Sequence, residues 1–421
     1  MEATFLGVSV VVWIAGALAL YMAWGIGAND VANAMGTSVG SGSLTIGKAI
    51  VIAGFLEFTG AFLAGGHVTD TVRKGILDTR EFAENPELIV YGMLAALAAA
   101  ATLLLGATRI GLPVSTTHSI VGAIVGFGSV ALGVDAINWG KVAQIVASWV
   151  TSPLMGGMLA FCIFHLVQRS ILNREDPMDA AKKVGPFFVF AVFFIVGLVT
   201  MFKGLKPLKL DLELGEALLA STLLATAAAA VSRVVLLRIK PQQEPATVSR
   251  FRDVERVFAA LVIMTASSVA FAHGSNDVAN AIGPLAAIIS VQDGLDLGSK
   301  APVAPWMLMV GGVGIVIGLA TMGYRVIETI GKRITELTPS RAFAAELAAA
   351  TTIVMASRMG IPVSTTHILV GSVLGVGLAR GIGALDLRVF AKIAISWVAT
   401  LPIAAGLSVF FYYFFKGLLA P

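Results

Sequence analysis

The chain carries one energetically costly arrangement twice. Gly27-Ala28-Asn29-Asp30-Val31-Ala32-Asn33-Ala34-Met35-Gly36 recurs as Gly274-Ser275-Asn276-Asp277-Val278-Ala279-Asn280-Ala281-Ile282-Gly283, with eight of ten positions identical. Each copy closes a long apolar run. Each sets Asn, Asp and Asn where a lipid-facing helix carries Leu or Val. An aspartate at mid-membrane depth costs about 2.5–3.5 kcal/mol on insertion scales. A duplicated one implies two halves of a single polar site inside a bundle.

Composition says that these runs belong in a membrane. Of 421 residues, 57% are hydrophobic and only 13% charged, where a soluble domain carries about 25% charged residues. The 45 glycines suit close helix–helix approach in lipid. The net charge of +4 comes with no basic patch interleaved with aromatics, which argues against nucleic-acid binding. The single cysteine, Cys162, rules out an internal disulfide and is expected as a small buried hydrophobe. The N-terminus lacks the positive region of a signal peptide, so the first apolar run is expected to be a retained helix.

Apolar windows of about 20 residues with few or no charges mark spans. About twelve are found, from Ala3–Asn29 to Ile393–Phe415. The expected fold is an all-α integral membrane protein in two repeats. Residues 1–168 form the first repeat and 257–421 the second. Residues 169–256 supply connecting membrane segments and a basic linker, Arg238–Arg256.

Two further blocks support the duplication. Gly111–Gly128 and Gly360–Gly377 share 11 of 18 residues, including Pro-Val-Ser-Thr-Thr-His. Ser148-Trp149-Val150 matches Ser396-Trp397-Val398. The offsets are 247, 249 and 248 residues, too consistent for chance. The first motif follows segment one and the second follows segment eight. An odd number of crossings inverts the second copy, as in many secondary transporters. Lys and Arg concentrate on the odd-numbered connections, so these, the linker among them, are expected in the cytoplasm with both termini outside. The whole is expected as a multi-pass protein of the inner or plasma membrane.

The residue chemistry divides into an acid–amide set and a hydroxyl set. Asp30 and Asn33, like Asp277 and Asn280, are three apart and share a helix face. Gly27 and Gly274 would let the backbone unwind there. Carboxylate, amide and freed backbone carbonyl oxygens together suit a hard cation such as Na⁺. The plainer reading is a pair of polar residues knitting helices by hydrogen bonds.

In the second set, Pro113 and Pro362 fix a helix start within an apolar region. Ser115, Thr116 and Thr117, with Ser364, Thr365 and Thr366, then surround exposed N–H groups and the positive ends of two helix dipoles. Two such re-entrant tips could grip a tetrahedral oxyanion. Their hydroxyls could also ligate Na⁺, or serve only as N-caps.

Other intramembrane polar residues are less decisive. His118 and His367 could relay protons or hydrogen-bond within the bundle. Arg109 and Arg358, at equivalent positions, are expected to snorkel or to hold a carboxylate. Glu57 and Glu346 are not related by the repeat offset and are either ion ligands or structural partners of an arginine. Gln144 is a weaker candidate. His67, His165 and His273 stand singly and are expected as satisfied polar residues.

The duplicated Gly-Ala/Ser-Asn-Asp-Val-Ala-Asn-Ala and Pro-Val-Ser-Thr-Thr-His blocks resemble the inorganic phosphate transporter (PiT) family, from about Gly27 to Pro402. The resemblance implies inverted repeats with broken helices that move phosphate with a cation. It makes Asn29, Asp30, Asn276 and Asp277 transport residues, together with the Ser-Thr-Thr groups. It also makes Na⁺ the driver, because Na⁺-accepting members carry glutamates like Glu57 and Glu346. The central loop is short here, so receptor and regulatory roles attached to a large loop do not carry over.

The expected assignment places phosphate on Ser115, Thr116, Thr117, Ser364, Thr365, Thr366, Asn29 and Asn276. It places Na⁺ on Asp30, Asn33, Asp277, Asn280, Glu57 and Glu346. No cofactor is expected beyond Na⁺ as coupling ion. The partners are phosphate, Na⁺ and the bilayer, with a homodimer left open. The rivals are H⁺-coupled uptake of phosphate or a metal–phosphate complex, and, more distantly, an intramembrane aspartyl hydrolase built on Asp30 and Asp277.

Overall fold

In lipid every backbone N–H and C=O must find its partner within the protein, and a helix does this alone. The computed structural model describes residues 4–5, 8–65, 76–77, 85–201, 212–238, 249–294, 303–358 and 363–419. Apart from two-residue strands at Thr4–Phe5 and Val8–Ser9, its regular elements are helical. His67, the block Gly360-Ile361-Pro362, most of the 70–87 loop and the middle of the linker lie outside the described residues.

The stretch that holds the first copies of the repeated blocks forms α1 (Val10–Asn29), α2 (Ala32–Gly40), α3 (Ile46–Ala64), α4 (Glu87–Arg109), α5 (Thr116–Ala131) and α6 (Trp139–Val167). Two connecting helices follow, α7 (Pro177–Val199) and α8 (Leu214–Arg238). The stretch that holds the second copies forms α9 (Ser249–Gln292), α10 (Pro305–Met322), the short α11 (Tyr324–Glu328), α12 (Pro339–Arg358), α13 (Thr365–Ala379) and α14 (Leu387–Leu419).

Nine helical stretches among the described residues are long and apolar enough to cross a bilayer. Helix α12 adds 20 residues lined with alanine, and α5 and α13 are shorter, at 16 and 15 residues. At 1.5 Å per residue the last two reach only about 22–24 Å, short of a hydrocarbon core of about 30 Å. Both begin inside the bundle. Ser115 and Ser364 cap them with matched geometry, each Oγ accepting the N–H three residues on at 3.3 Å.

The halves correspond in fine detail. Gly133 and Gly381 both hold positive φ, at 94° and 108°, before a single 3₁₀ turn. The Asn138 N–H donates to the Ile76 carbonyl at 2.9 Å, and the Asp386 N–H to that of Ile334 at 3.0 Å. Connections of like parity therefore meet: 76–77 with 137–138, and 334–336 with 380–386.

Packing is exchanged between the repeats, with α1 on α10, α9 on α3, α5 on α14 and α13 on α6. Glycines make the closest of these contacts. A Cβ at Gly27 would stand 1.8 Å from the Ile315 carbonyl oxygen, and one at Gly274 would stand 2.2 Å from that of Glu57. Neither glycine unwinds its helix. Helix α1 continues through Gly27 to Asn29, and α9 runs unbroken through Gly274. Absence of a side chain, rather than backbone freedom, is what these positions supply. Helices α7 and α8 attach at one side, where Phe188 meets Phe258 and Phe343 with ring centroids 5.4–6.3 Å apart.

Candidate functional site

The break between α1 and α2 lies at Asp30–Val31. The Asn33 N–H turns to the Asp30 carbonyl at 2.8 Å, and the Ala34 N–H to that of Val31 at 3.0 Å. Three-residue steps thus replace the four-residue ladder for one turn, which releases the Asn29 carbonyl from its usual Asn33 partner. The second motif shows no such break.

Both re-entrant tips grip this point. Thr116 Oγ1, at the start of α5, donates to Asp30 Oδ2. Asn33 Nδ2 donates to Thr366 Oγ1, at the start of α13, at 2.8 Å. Asp30 and Asn33 are buried, yet among the described residues Asp30 Oδ1 and Asn33 Oδ1 meet no donor. A buried oxygen without a partner is expensive. Two of them three residues apart, across the break between α1 and α2, offer acceptors suited to a cation.

Asp277 comes to the same place from α9. Ligand atoms of Asp30, His273 and Asp277 all lie within 4.8 Å of one another. His273 Nε2 stands 2.7 Å from Asp277 Oδ2, and its Nδ1 stands 2.9 Å from both Glu57 oxygens. The cluster therefore holds three carboxylates and one imidazole, all buried. With all three carboxylates ionised and the imidazole charged, two negative charges would be in excess, and buried uncompensated charge is strongly unfavourable, so the cluster must gain either protons or a cation.

Glu346 heads a second cluster. Its Oε1 accepts from Thr37 Oγ1 and, at 3.0 Å, from Ser38 Oγ. Its Oε2 accepts from Thr265 Oγ1 at 2.5 Å. Thr37 and Ser38 sit about one turn beyond Asn33, so α2 links the two clusters. The partner of Glu57 is His273 and the partners of Glu346 are hydroxyls; no arginine contacts either among the described residues.

The amides play unequal parts. Asn29 Nδ2 donates to Thr108 Oγ1 and to the Leu112 carbonyl, both at 3.0 Å, and its Oδ1 accepts the Val114 N–H at 3.1 Å. Its amide is committed to clamping the first tip. Asn276 Nδ2 donates to Asp277 Oδ1 at 2.9 Å. Asn280 is buried one turn further along α9, and Thr365 is buried beside Thr366. Thr117 is half-buried.

Behind the tips lie four rings. His118 stacks on Trp149 and hydrogen-bonds the Trp397 carbonyl at 3.4 Å; His367 stacks on Trp397 and hydrogen-bonds the Trp149 carbonyl at 3.0 Å. This cross-bracing ties the tips to α6 and α14. Arg109 is exposed at the end of α4, where its carbonyl accepts from Arg325 at 2.9 Å. Cys162 is exposed on α6 rather than buried, because a helix face turned to lipid is as apolar as one turned inward. His165 is exposed as well and stacks on Phe161.

The duplicated motifs mark neither the hydroxyls of Thr37, Ser38 and Thr265 nor His273. Its repeat-equivalent position holds Ile26, so a search for duplicated polar residues misses it. It stands four residues before Asp277, on the same face, and that spacing was the available signal.

A helical bundle with inverted halves and a buried acidic centre between two re-entrant tips is the architecture of a membrane transporter. The sequence profile described as the phosphate transporter family matches residues 26–408. The chain belongs to that family.

A solved structure described as the sodium-dependent phosphate transporter superposes with a TM-score of 0.87 at 39% identity, covering 97% of this chain and all of the other. A Haemophilus influenzae protein, provisionally named a phosphate permease, is 44% identical across 96% of both chains. The Arabidopsis thaliana inorganic phosphate transporter 2-1, chloroplastic, is 43% identical over 95% of this chain and 71% of its own length. These relatives are transporters, not enzymes, and a hydrolase reading of Asp30 and Asp277 falls away.

Proposed function

We propose that the chain carries inorganic phosphate into the cell by Na⁺-coupled symport with alternating access. The observation that carries Na⁺ coupling is the pair of buried oxygens on Asp30 and Asn33 without a donor among the described residues, set beside a cluster of buried carboxylates. Hard oxygen ligands favour Na⁺. The sodium dependence of the structural neighbour points the same way.

In this reading Asp30, Asn33, Asp277 and Asn280 hold Na⁺. Glu57 acts by fixing His273 against Asp277. Glu346, with Thr37, Ser38 and Thr265, offers a second cation position. Phosphate binds between the tips, on the remaining N–H groups at the starts of α5 and α13 and on the hydroxyls of Ser115, Thr117, Ser364, Thr365 and Thr366, with Asn276 at the edge, while Thr116 holds Asp30. Asn29 positions the first tip rather than touching the anion. Bound Na⁺ compensates both the carboxylates and the anion, so the loaded site can cross a low-dielectric barrier that the half-loaded one cannot. Each net positive charge carried inward gains about 2.3 kcal/mol per 100 mV. The odd connections and the linker face the cytoplasm, and both termini lie outside.

The test is uptake of radiolabelled phosphate into proteoliposomes under an inward Na⁺ gradient, with choline as the control. Uptake rises with Na⁺. Equal uptake in choline, or uptake that follows a pH gradient alone, rejects Na⁺ as the driver.

A further inference from the structure

One end of the bundle contains a cavity of about 740 Å³ that the transport reading does not use. Its floor is the crossing of Gly40, the last residue of α2, with Gly331. A Cβ on Gly40 would stand 2.0 Å from the Gly331 carbonyl oxygen, so backbone forms the floor. Its walls are the segment 332–337 and the turn 383–388. Two hydrogen bonds fix these walls to each other: Asp386 N–H to the Ile334 carbonyl at 3.0 Å, and Thr335 Oγ1 to the Ala384 carbonyl at 2.8 Å.

Five ionisable side chains line the recess: Lys332, Arg333, Glu336, Asp386 and Arg388. Both acids have partners other than the side chains of Lys332, Arg333 and Arg388. Glu336 Oε2 faces Arg380 at 3.4 Å and Arg341 at 3.6 Å. Asp386 Oδ1 caps α14, accepting the N–H groups of Arg388 at 3.0 Å and Val389 at 3.1 Å. Among the described residues, Lys332, Arg333 and Arg388 meet no carboxylate.

With three cations against two acids on its lining, and Glu336 drawn to Arg380 and Arg341, the recess carries a net positive field. Guanidinium forks and an ammonium are the groups that recognise phosphoryl oxygens. Duplication does not account for the cluster. The wall pairing Ile76–Asn138 corresponds to Ile334–Asp386. Counted from those anchors, the equivalents of Lys332, Arg333 and Arg388 are Lys74, Gly75 and Gly140. Two of the three charges therefore belong to this face alone.

We propose that this cavity binds a phosphoryl anion through Lys332, Arg333 and Arg388. It is distinct from the transport site in its charged residues: Lys332, Arg333 and Arg388 belong to neither acidic cluster, although Gly40 on its floor stands only two residues beyond Ser38. It also does not depend on which cation drives uptake. The same chemistry is offered by free phosphate and by an anionic lipid headgroup.

The test uses the full chain in nanodiscs of phosphatidylcholine, titrated with inorganic phosphate in the absence of Na⁺. Wild type binds phosphate under these conditions. The variant Lys332→Gln/Arg333→Gln/Arg388→Gln binds at least about tenfold more weakly, as expected when charge-assisted hydrogen bonds are removed. Its Na⁺-stimulated uptake stays within about twofold of wild type, since none of the three residues lies in the transport site. In nanodiscs containing phosphatidylglycerol, a headgroup occupant abolishes Na⁺-independent phosphate binding. Native mass spectrometry then shows the lipid retained by wild type and lost by the variant. Arg333→Gln and Arg388→Gln singly give the same direction at smaller size, should the triple variant not purify. Wild type that binds neither ligand overturns the proposal, as does a variant that binds both as wild type does. Failure of Na⁺-driven uptake would instead reject the transport reading and leave this one standing.

Discussion

Replacing Gly274 with alanine tests whether the close approach of α3 and α9 sets the geometry of the site. The new Cβ would lie 2.2 Å from the Glu57 carbonyl oxygen, 2.7 Å from its Cα and 2.8 Å from its carbonyl carbon. Real Cβ atoms essentially never come closer than 3.0 Å, so the helices must part by about 0.8 Å or more. All three obstructing atoms are backbone, and no rotamer change relieves them. The parting acts at the residue whose side chain holds His273, and it stretches a contact of 2.9 Å beyond hydrogen-bonding range. Overpacking of this kind costs about 1–3 kcal/mol. Misplacement of a site group by about 1 Å lowers turnover by as much as 10²-fold. Gly274→Ala is therefore expected to lower the unfolding midpoint and to reduce Na⁺-driven phosphate uptake by about ten- to a hundredfold. Gly16→Ala is the control: it lies on α1, and its Cβ would meet nothing within 4 Å. The assay is initial-rate uptake in proteoliposomes at matched protein density, with thermal unfolding in parallel. Gly274→Ala protein that matches Gly16→Ala in both would refute the reasoning.

Thr116→Val removes the hydroxyl donor of Asp30 and is expected to raise the Na⁺ concentration for half-maximal uptake about tenfold, whereas Thr116→Ser stays near wild type; equal effects of the two would show that the hydroxyl is idle. Asn29→Ala strips three hydrogen bonds from the first tip, so a loss of about 1–3 kcal/mol should appear in thermal unfolding together with lost uptake. An Asn29→Ala protein of unchanged stability that fails only in phosphate affinity would instead make Asn29 a direct ligand. Phe343→Ala empties the junction of Phe188 and Phe258 and should cost about 3–5 kcal/mol in unfolding, while the folded fraction keeps its Na⁺ dependence.

Sequence shows the bundle and its centre because both rest on expensive residues. Asp30 and Asp277 could not stand in apolar runs without a shared purpose, and they meet in one cluster. The duplicated proline and serine likewise mark two helix starts. The chain obscures whatever departs from the duplication. His273 has Ile26 as its counterpart. Glu57 corresponds, through the packing, to Ile315, because the repeat offset shifts between the first motif and α3. Gly27 and Gly274 show a second kind of obscurity: sequence marks an absent side chain but not whether the gain is a bend or a contact. Cys162 shows a third. In lipid the outer face of a helix is as apolar as its inner face, so patterning does not report burial as it does in water.

The exchange of partners between the repeats also sets a timetable. Helix α1 needs α10 to fill the groove at Gly27, yet Ile315 leaves the ribosome about 290 residues later. At 5–20 residues per second the interval is roughly 15–60 s. Through that interval Asp30 waits in the bilayer without Asp277, His273 or the second tip. The early helices must therefore persist as separate spans, and the charged centre closes only as the chain nears completion.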